Sequence, residues 1–312
     1  MDTNDASRER MAEPAPRAAS MQGVVPVLPW HLRHDRQFDE NRYVYPVLSR
    51  RAGGISVGIN LNPDKVCNFD CIYCQVDRQE TGGTRVVDEP RLLQELEHVL
   101  ELLQTGELYR SAEFSGVPAG WRRLNDIALS GDGEPTTYPA FDRIVEACAA
   151  VKRRRGLDEV KLVLITNASM FHRPAVQRGL AILDQNQGEI WAKLETGTEA
   201  YYKLVERTTI PFGRILENIT AAARVRPLVI QSLFMRVHGE PPPEAELEAY
   251  CQRLREITAA GGQIKLVQIY TVARRPAESF VSALSDEELA CLVDRVRRTT
   301  NLPVQGFAGQ DG

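Results

Sequence analysis

Apolar residues along this chain follow two alternating patterns. Short, nearly continuous apolar runs occur at 55–61, 127–130, 161–166, 189–194, 228–235 and 265–271. Runs of this length read as strands that are covered on both faces. Between them lie segments with helical periodicity, at 89–104, 139–154, 173–184, 199–205, 213–225 and 244–259. Leu92, Leu96, Val99 and Leu103 form one stripe, and Phe141, Ile144, Val145, Cys148 and Val151 another. Local signals set the ends. Pro90 is tolerated in a first helical turn, and Gly261-Gly262 suits a left-handed helix cap. Ser285 followed by Glu288 is a capping box opening a last helix, with a short extended tail at 302–307.

Strands alternating with helices predict parallel βαβ units. Six units are too few for a complete eight-fold barrel. A doubly wound open sheet and a partial (β/α)6 barrel of parallel strands both fit the α/β pattern, and the motif positions described below favour the barrel. The expected organisation is a disordered tail at 1–20, an irregular lead-in at 21–50, the partial barrel at 51–275, and a C-terminal helix with an extended tail at 276–312.

Three of the six cysteines fall within eight residues, as Cys67, Cys71 and Cys74 in a C-x3-C-x2-C spacing directly after the first strand. Three thiolates on one loop suit a soft metal centre. Structural zinc is the main rival, but it needs a fourth ligand, and no histidine lies close in sequence. His31 and His34 are far upstream, and His98 falls within a predicted helix. Cys148 and Cys251 lie on apolar helical stripes, where cysteine behaves as a small hydrophobe. Nothing suggests a second cysteine cluster.

Composition narrows the setting. The chain has 312 residues, 43% hydrophobic and 26% charged, with a net charge of −4. That is a globular composition without an electrostatic case for nucleic acid, which stays open as a partner but is not favoured. No apolar run is long enough to span a bilayer. The first 20 residues lack the apolar region of a secretory signal, so the expected setting is cytoplasmic and reducing, where clustered cysteines bind metals or catalyse.

Sites in parallel α/β folds gather at the carboxyl ends of strands. The polar motifs of this chain fall there repeatedly. After the second strand comes Gly131-Asp132-Gly133-Glu134-Pro135-Thr136, and after the third Thr166-Asn167. The fourth ends on Lys193 and continues into Glu195. Arg236, His238 and Arg274 follow the last two strands.

Together these motifs resemble the radical S-adenosylmethionine (radical SAM) superfamily. The resemblance rests on the C-x3-C-x2-C loop, on the aromatic Tyr73 just before the third cysteine, and on Gly133-Glu134-Pro135, and it covers about residues 50–275. It implies that Cys67, Cys71 and Cys74 hold one 4Fe–4S cluster whose fourth iron is chelated by S-adenosyl-L-methionine. Tyr73 would then contact the adenine region, and Gly131, Asp132, Gly133, Glu134 and Pro135 the methionyl ammonium. Thr166, Asn167, Lys193 and Glu195 would serve ribose or carboxylate. The implied reaction is reductive cleavage of the cofactor to a 5′-deoxyadenosyl radical, which abstracts hydrogen from an unidentified substrate. An electron donor such as flavodoxin or ferredoxin is implied with it. The usual Gly-Gly-Glu-Pro reads Gly-Asp-Gly-Glu-Pro here, so Asp132 is an extra carboxylate.

Within the superfamily, Ser49-Arg50-Arg51, Cys74-Gln75-Val76 and the Gly131–Thr136 stretch look most like the wyosine-synthase-related group, whose best-known members modify tRNA. This chain differs from them in having no cysteine before Cys67 and a mildly acidic balance. Wyosine-type tRNA modification and a non-catalytic iron–sulfur or zinc module remain the alternatives.

Overall fold

All six predicted strands form, and a computed structural model places them side by side in one sheet. The structure describes residues 23–26, 38–78 and 82–309, so the tail expected at 1–20 lies outside the described residues. The strands are β1 (Val24–Val25), β2 (Val44–Ser49), β3 (Gly54–Ile59), β4 (Leu124–Leu129), β5 (Lys161–Thr166), β6 (Gly188–Lys193), β7 (Leu228–Leu233), β8 (Arg236–Val237), β9 (Ile264–Tyr270), β10 (Val281–Ser282) and β11 (Val304–Phe307). The helices are α1 (Glu89–Thr105), α2 (Phe141–Arg154), α3 (Pro174–Asp184), α4 (Glu199–Glu206), α5 (Phe212–Val225), α6 (Glu244–Ala259) and α7 (Asp286–Thr300).

Nine strands share the main sheet in the order β1-β11-β9-β7-β6-β5-β4-β3-β2, and β8 pairs with β10 separately. Every neighbouring pair in the main sheet is parallel except β2 with β3. The sheet curls into an open half-barrel, so the partial barrel is the architecture. Its outer face packs against the helices through residues such as Ile127, Leu162, Ile190 and Ile230, all essentially inaccessible to water. Its inner face carries a small apolar patch of Ala128, Val163, Trp191 and Val229.

Two segments differ from the sequence reading. The 21–50 stretch, expected to be an irregular lead-in, contributes β1 and β2 to the sheet. Pro46 within Val44–Ser49 masks the strand signal, because proline supplies no ladder N–H; an edge strand tolerates this. The extended tail becomes β11, which joins β9 to β1. β4 also begins earlier than its apolar run, because Asn125 and Asp126 interrupt the hydrophobic pattern.

The β2–β3 turn reaches across to the β9–β11 side of the half-barrel. Arg50 and Arg51 sit in the turn between β2 and β3. Arg50 Nη1 donates to the carbonyl of Ala308, beyond β11, and Arg51 lies over Tyr270 of β9. Burial lowers the Arg50 guanidinium to about 10, with the neighbouring Arg51 charge adding to the effect. On the inner face Glu189 pairs with Lys161 and Lys265 and accepts from Trp191 Nε1 at 2.8 Å. These contacts fix the indole's orientation.

Candidate functional site

β3 ends at Ile59, two residues sooner than its apolar run, and this frees Asn60 to organise the loops above the sheet. Asn60 Oδ1 accepts from the backbone N–H of Asn62 at 3.0 Å and of Asp132 at 3.2 Å, while Nδ2 donates to Asp132 Oδ2 at 2.6 Å. The cysteine loop is thereby tied to the loop after β4. The approach is close at Gly133, where a Cβ would lie 2.4 Å from the Val66 carbonyl oxygen. No larger residue fits without moving backbone.

The cysteine loop is pinned from a second side by α4. Asp70 N–H donates to the Glu206 carbonyl at 3.1 Å and Ile72 N–H to the Val205 carbonyl at 2.9 Å. Asn68 accepts from Asn167 Nδ2 at 2.9 Å and donates to Ser169 at 2.7 Å, joining the loop to the end of β5. Cys67, Cys71 and Cys74 are half-buried free thiols that face one cavity of about 250 Å³. Arg78 donates to Phe69 O at 3.0 Å and directs a second nitrogen at Cys74 Sγ, 3.5 Å away. Cys71 Sγ donates to Glu206 Oε2 at 2.8 Å. Burial raises the Cys67 and Cys71 thiols, and Glu206 raises Cys71 further; Lys193 opposes both shifts and Arg78 that of Cys67.

Glu134 is 3% exposed and spans two loops. Its Oε1 accepts from Thr166 Oγ1 at 2.6 Å and from the N–H and hydroxyl of Thr136. Its Oε2 accepts from Asn167 N–H at 2.7 Å. A carboxylate has about four acceptor positions, so Oε2, with one donor, keeps spare capacity. Burial raises the Glu134 carboxyl, and these same donors work against that rise.

A second buried polar group comes from β6 and α4. Tyr73 hydroxyl donates to Glu195 Oε1 at 2.9 Å, and Lys193 Nζ lies 5.4 Å from the centre of the Tyr73 ring. Burial raises both Glu195 and Glu206; the nearby Glu206 carboxyl raises Glu195 further, and Lys193 restrains both. Burial works against the Lys193 charge, but Tyr270 and Glu195 outweigh it and hold the ammonium above its ordinary range. The loop that carries Glu195 is clamped by α6, where Glu246 accepts from Gly197 N–H and from Thr198 Oγ1.

Of the residues singled out in the sequence, Cys67, Cys71, Tyr73, Cys74, Gly131, Asp132, Gly133, Glu134, Thr166, Asn167, Lys193 and Glu195 all line this cavity. Pro135 does not; it is buried and starts the turn after Glu134. Arg274 also lines the cavity, whereas Arg236 pairs with Glu288 and His238 stacks on Phe280.

The family model described as Radical SAM superfamily matches residues 61–245. The chain belongs to the radical SAM superfamily. A protein of Brachyspira hyodysenteriae named GTPase Obg is 23% identical over 252 residues, and the match spans 78% of this chain but only 32% of that longer protein. A UPF0026 protein of Helicobacter pylori strain J99 is 24% identical over 247 residues, 78% of this chain and 70% of the relative. Among solved structures, a radical SAM methyltransferase from Sphaerobacter thermophilus superposes with a TM-score of 0.55 at 12% identity, covering 86% of this chain and 70% of that one. A structure of TYW1 reaches 0.46 at 12% identity, over 79% of this chain and 74% of the other. These likenesses are of fold.

The radical SAM family implies a 4Fe–4S cluster and S-adenosylmethionine, and the donor set here fits them. Three thiols face one cavity, and a buried glutamate with a spare acceptor lies in the same space. Among the described residues no three His, Cys, Asp or Glu side chains are arranged to hold a single metal ion.

Sequence reasoning missed Glu206 and Arg78 as members of this candidate site. Glu206 ends a charged helix and reads as a solvated residue, and only tertiary packing brings it to Cys71. Arg78 had a usable signal, since it follows Cys74 by four residues.

Proposed function

We propose that this chain is a radical SAM enzyme that reductively cleaves S-adenosyl-L-methionine and abstracts hydrogen from a substrate bound inside the half-barrel. The observation that carries the reading is the gathering of Cys67, Cys71, Cys74, Glu134, Lys193 and Glu195 around one cavity, with every loop held by buried hydrogen bonds. In this reading the three cysteines hold a 4Fe–4S cluster. Cluster and cofactor together supply the electron transfer and the hydrogen-abstracting radical.

The chain's own part is placement. Glu134 Oε2 and the Gly131–Gly133 backbone receive the methionyl ammonium, with Asp132 adding negative charge. Lys193 faces the cofactor's carboxylate, and Tyr73 lies against the adenine region. Thr166 and Asn167 hold the ribose side, while Glu195 keeps Tyr73 and Lys193 oriented. The apolar inner wall around Trp191 limits water near the reacting atoms. Residues 51–275 supply every group assigned a role. The electron comes from a low-potential donor of the flavodoxin or ferredoxin kind. Among the described residues no helix is long and apolar enough to cross a membrane, and unpaired cysteines suit a reducing cytoplasm.

The test is substitution of the thiols. Cys67→Ala, Cys71→Ala and Cys74→Ala should each abolish formation of 5′-deoxyadenosine and lower bound iron after anaerobic reconstitution. Cys148 is fully buried within the core, where burial pushes its thiol up to about 12, so Cys148→Ala should retain both. Cofactor cleavage surviving in any of the first three would reject the ligand assignment.

A further inference from the structure

The inner wall carries a second group of polar side chains that the cofactor reading leaves unused. Arg51 reaches into the cavity from the β2–β3 turn. Its guanidinium carbon lies 5.0 Å from the Tyr270 ring centre and 5.8 Å from that of Trp191. Among the described residues it forms no ion pair with a carboxylate. A guanidinium held by two rings is oriented by stacking, and beyond its hydrogen bond to Tyr270 its fork leaves N–H donors for an anion. The buried Asp126 carboxyl lines the same cavity and feels the Arg51 charge, but forms no ion pair with it.

A second observation points the same way. Gln231 on β7 is fully buried and lines the same cavity. Its Nε2 donates to Gln268 Oε1 at 2.9 Å, but among the described residues its Oε1 has no hydrogen-bond partner. The strand register sets Gln231 beside Lys193 on one side and Gln268 on the other. The wall thus offers a forked cation and, apart from it, an acceptor that lacks a donor.

We infer that Arg51 and Gln231 form the substrate-recognition subsite of the cavity, built for a small organic anion, carboxylate or phosphate, that carries an N–H or O–H donor next to its charge. Arg51 takes the anionic oxygens in a fork, and Gln231 Oε1 accepts the neighbouring hydrogen. Trp191, fixed by Glu189, and Tyr270 form the floor on which the guanidinium is held. The inference rests on the proposed function, because it takes the cavity to be shared between cofactor and substrate.

The test is calorimetric titration of the reconstituted protein, with S-adenosylmethionine present, using glycolate, acetate and inorganic phosphate as probes. Glycolate should bind, and acetate, which lacks the hydroxyl, should bind at least fivefold more weakly. Arg51→Met should weaken every anion that binds by at least tenfold, and Arg51→Lys should restore part of it. Gln231→Leu should reduce glycolate to the level of acetate while leaving acetate unchanged. Phosphate binding that needs Arg51, in the absence of carboxylate binding, would support the subsite and assign its anion as phosphate. No anion binding, or binding that Arg51→Met and Arg51→Lys both leave unchanged, would overturn the inference. Thermal melts of each variant establish that it is folded. Iron content and cofactor binding in the same preparation separate the two claims. Protein that holds iron and binds S-adenosylmethionine yet shows no Arg51-dependent anion binding refutes the subsite alone. Protein without iron refutes the proposed function, and the subsite is still read from the titration, since strands and the β2–β3 turn place its residues.

Discussion

Glu134 shows how one side chain can serve both fold and site. Its carboxylate gathers four donors from Thr136, Thr166 and Asn167, and the residue still lines the cavity. Glu134→Ala leaves those buried donors unpaired, so we expect a loss of about 2–4 kcal/mol in urea unfolding. We also expect at least tenfold weaker S-adenosylmethionine binding, with iron content near normal. Unchanged cofactor affinity would leave Glu134 a purely structural clasp. Asp126 behaves differently. It is 3% exposed, it accepts a hydrogen bond from Ser56 Oγ, and burial raises it to about 6. A carboxyl raised on folding binds more protons in the native state, so its contribution to stability falls as pH rises from about 4 to 6. Asp126→Asn should therefore stabilise the protein at pH 7.5, by at most about 3 kcal/mol, and much less at pH 4.5. Equal effects on the melting temperature at the two pH values would contradict this. Of these two residues, the sequence marked Glu134 through its Gly-Glu-Pro setting. Asp126 could not be found that way, because a lone aspartate before an apolar run looks like a strand boundary.

Elements with strong local signals were readable in advance. The capping box at Ser285 forms, with Ser285 Oγ accepting from Glu288 N–H and Glu288 Oε2 from Ser285 N–H. β5 matches its apolar run at both ends. β2 was not readable, because Pro46 hides it and its partner is the neighbouring β3 strand across a turn. The contact between α6 and the loop after β6 was equally invisible, although it positions Glu195. A Cβ on Gly197 would lie 2.0 Å from Tyr250 N and 2.4 Å from the Ala249 carbonyl carbon, both in α6. Gly197→Ala must displace that helix, and we expect more than about 3 kcal/mol of destabilisation by urea unfolding. A cost below about 0.5 kcal/mol would show that α6 does not clamp the loop.

Across the whole molecule, parallel topology converts sequence order into spatial convergence. Cys71 and Glu206 are 135 residues apart and end 2.8 Å from each other. The six-unit alternation foretold that polar motifs would share one rim, and twelve of the thirteen residues singled out as cluster- or cofactor-binding do line one cavity. The sequence could not foretell that the β2–β3 turn contacts the far side of the half-barrel. Arg50 reaches the Ala308 carbonyl and Arg51 the Tyr270 ring, and neither has a periodic or motif signal for that role. Under the proposed function the family motifs serve cluster and cofactor, so it is the inner wall that would select the substrate.

The central claim is that the three-cysteine loop and the cavity beside it work as one cofactor site. The most direct measurement is electron paramagnetic resonance of the anaerobically reconstituted, reduced protein, recorded with and without S-adenosylmethionine. The account predicts a 4Fe–4S signal that shifts when the cofactor is added, together with formation of 5′-deoxyadenosine. A cluster signal indifferent to the cofactor, or no cluster signal, would contradict it.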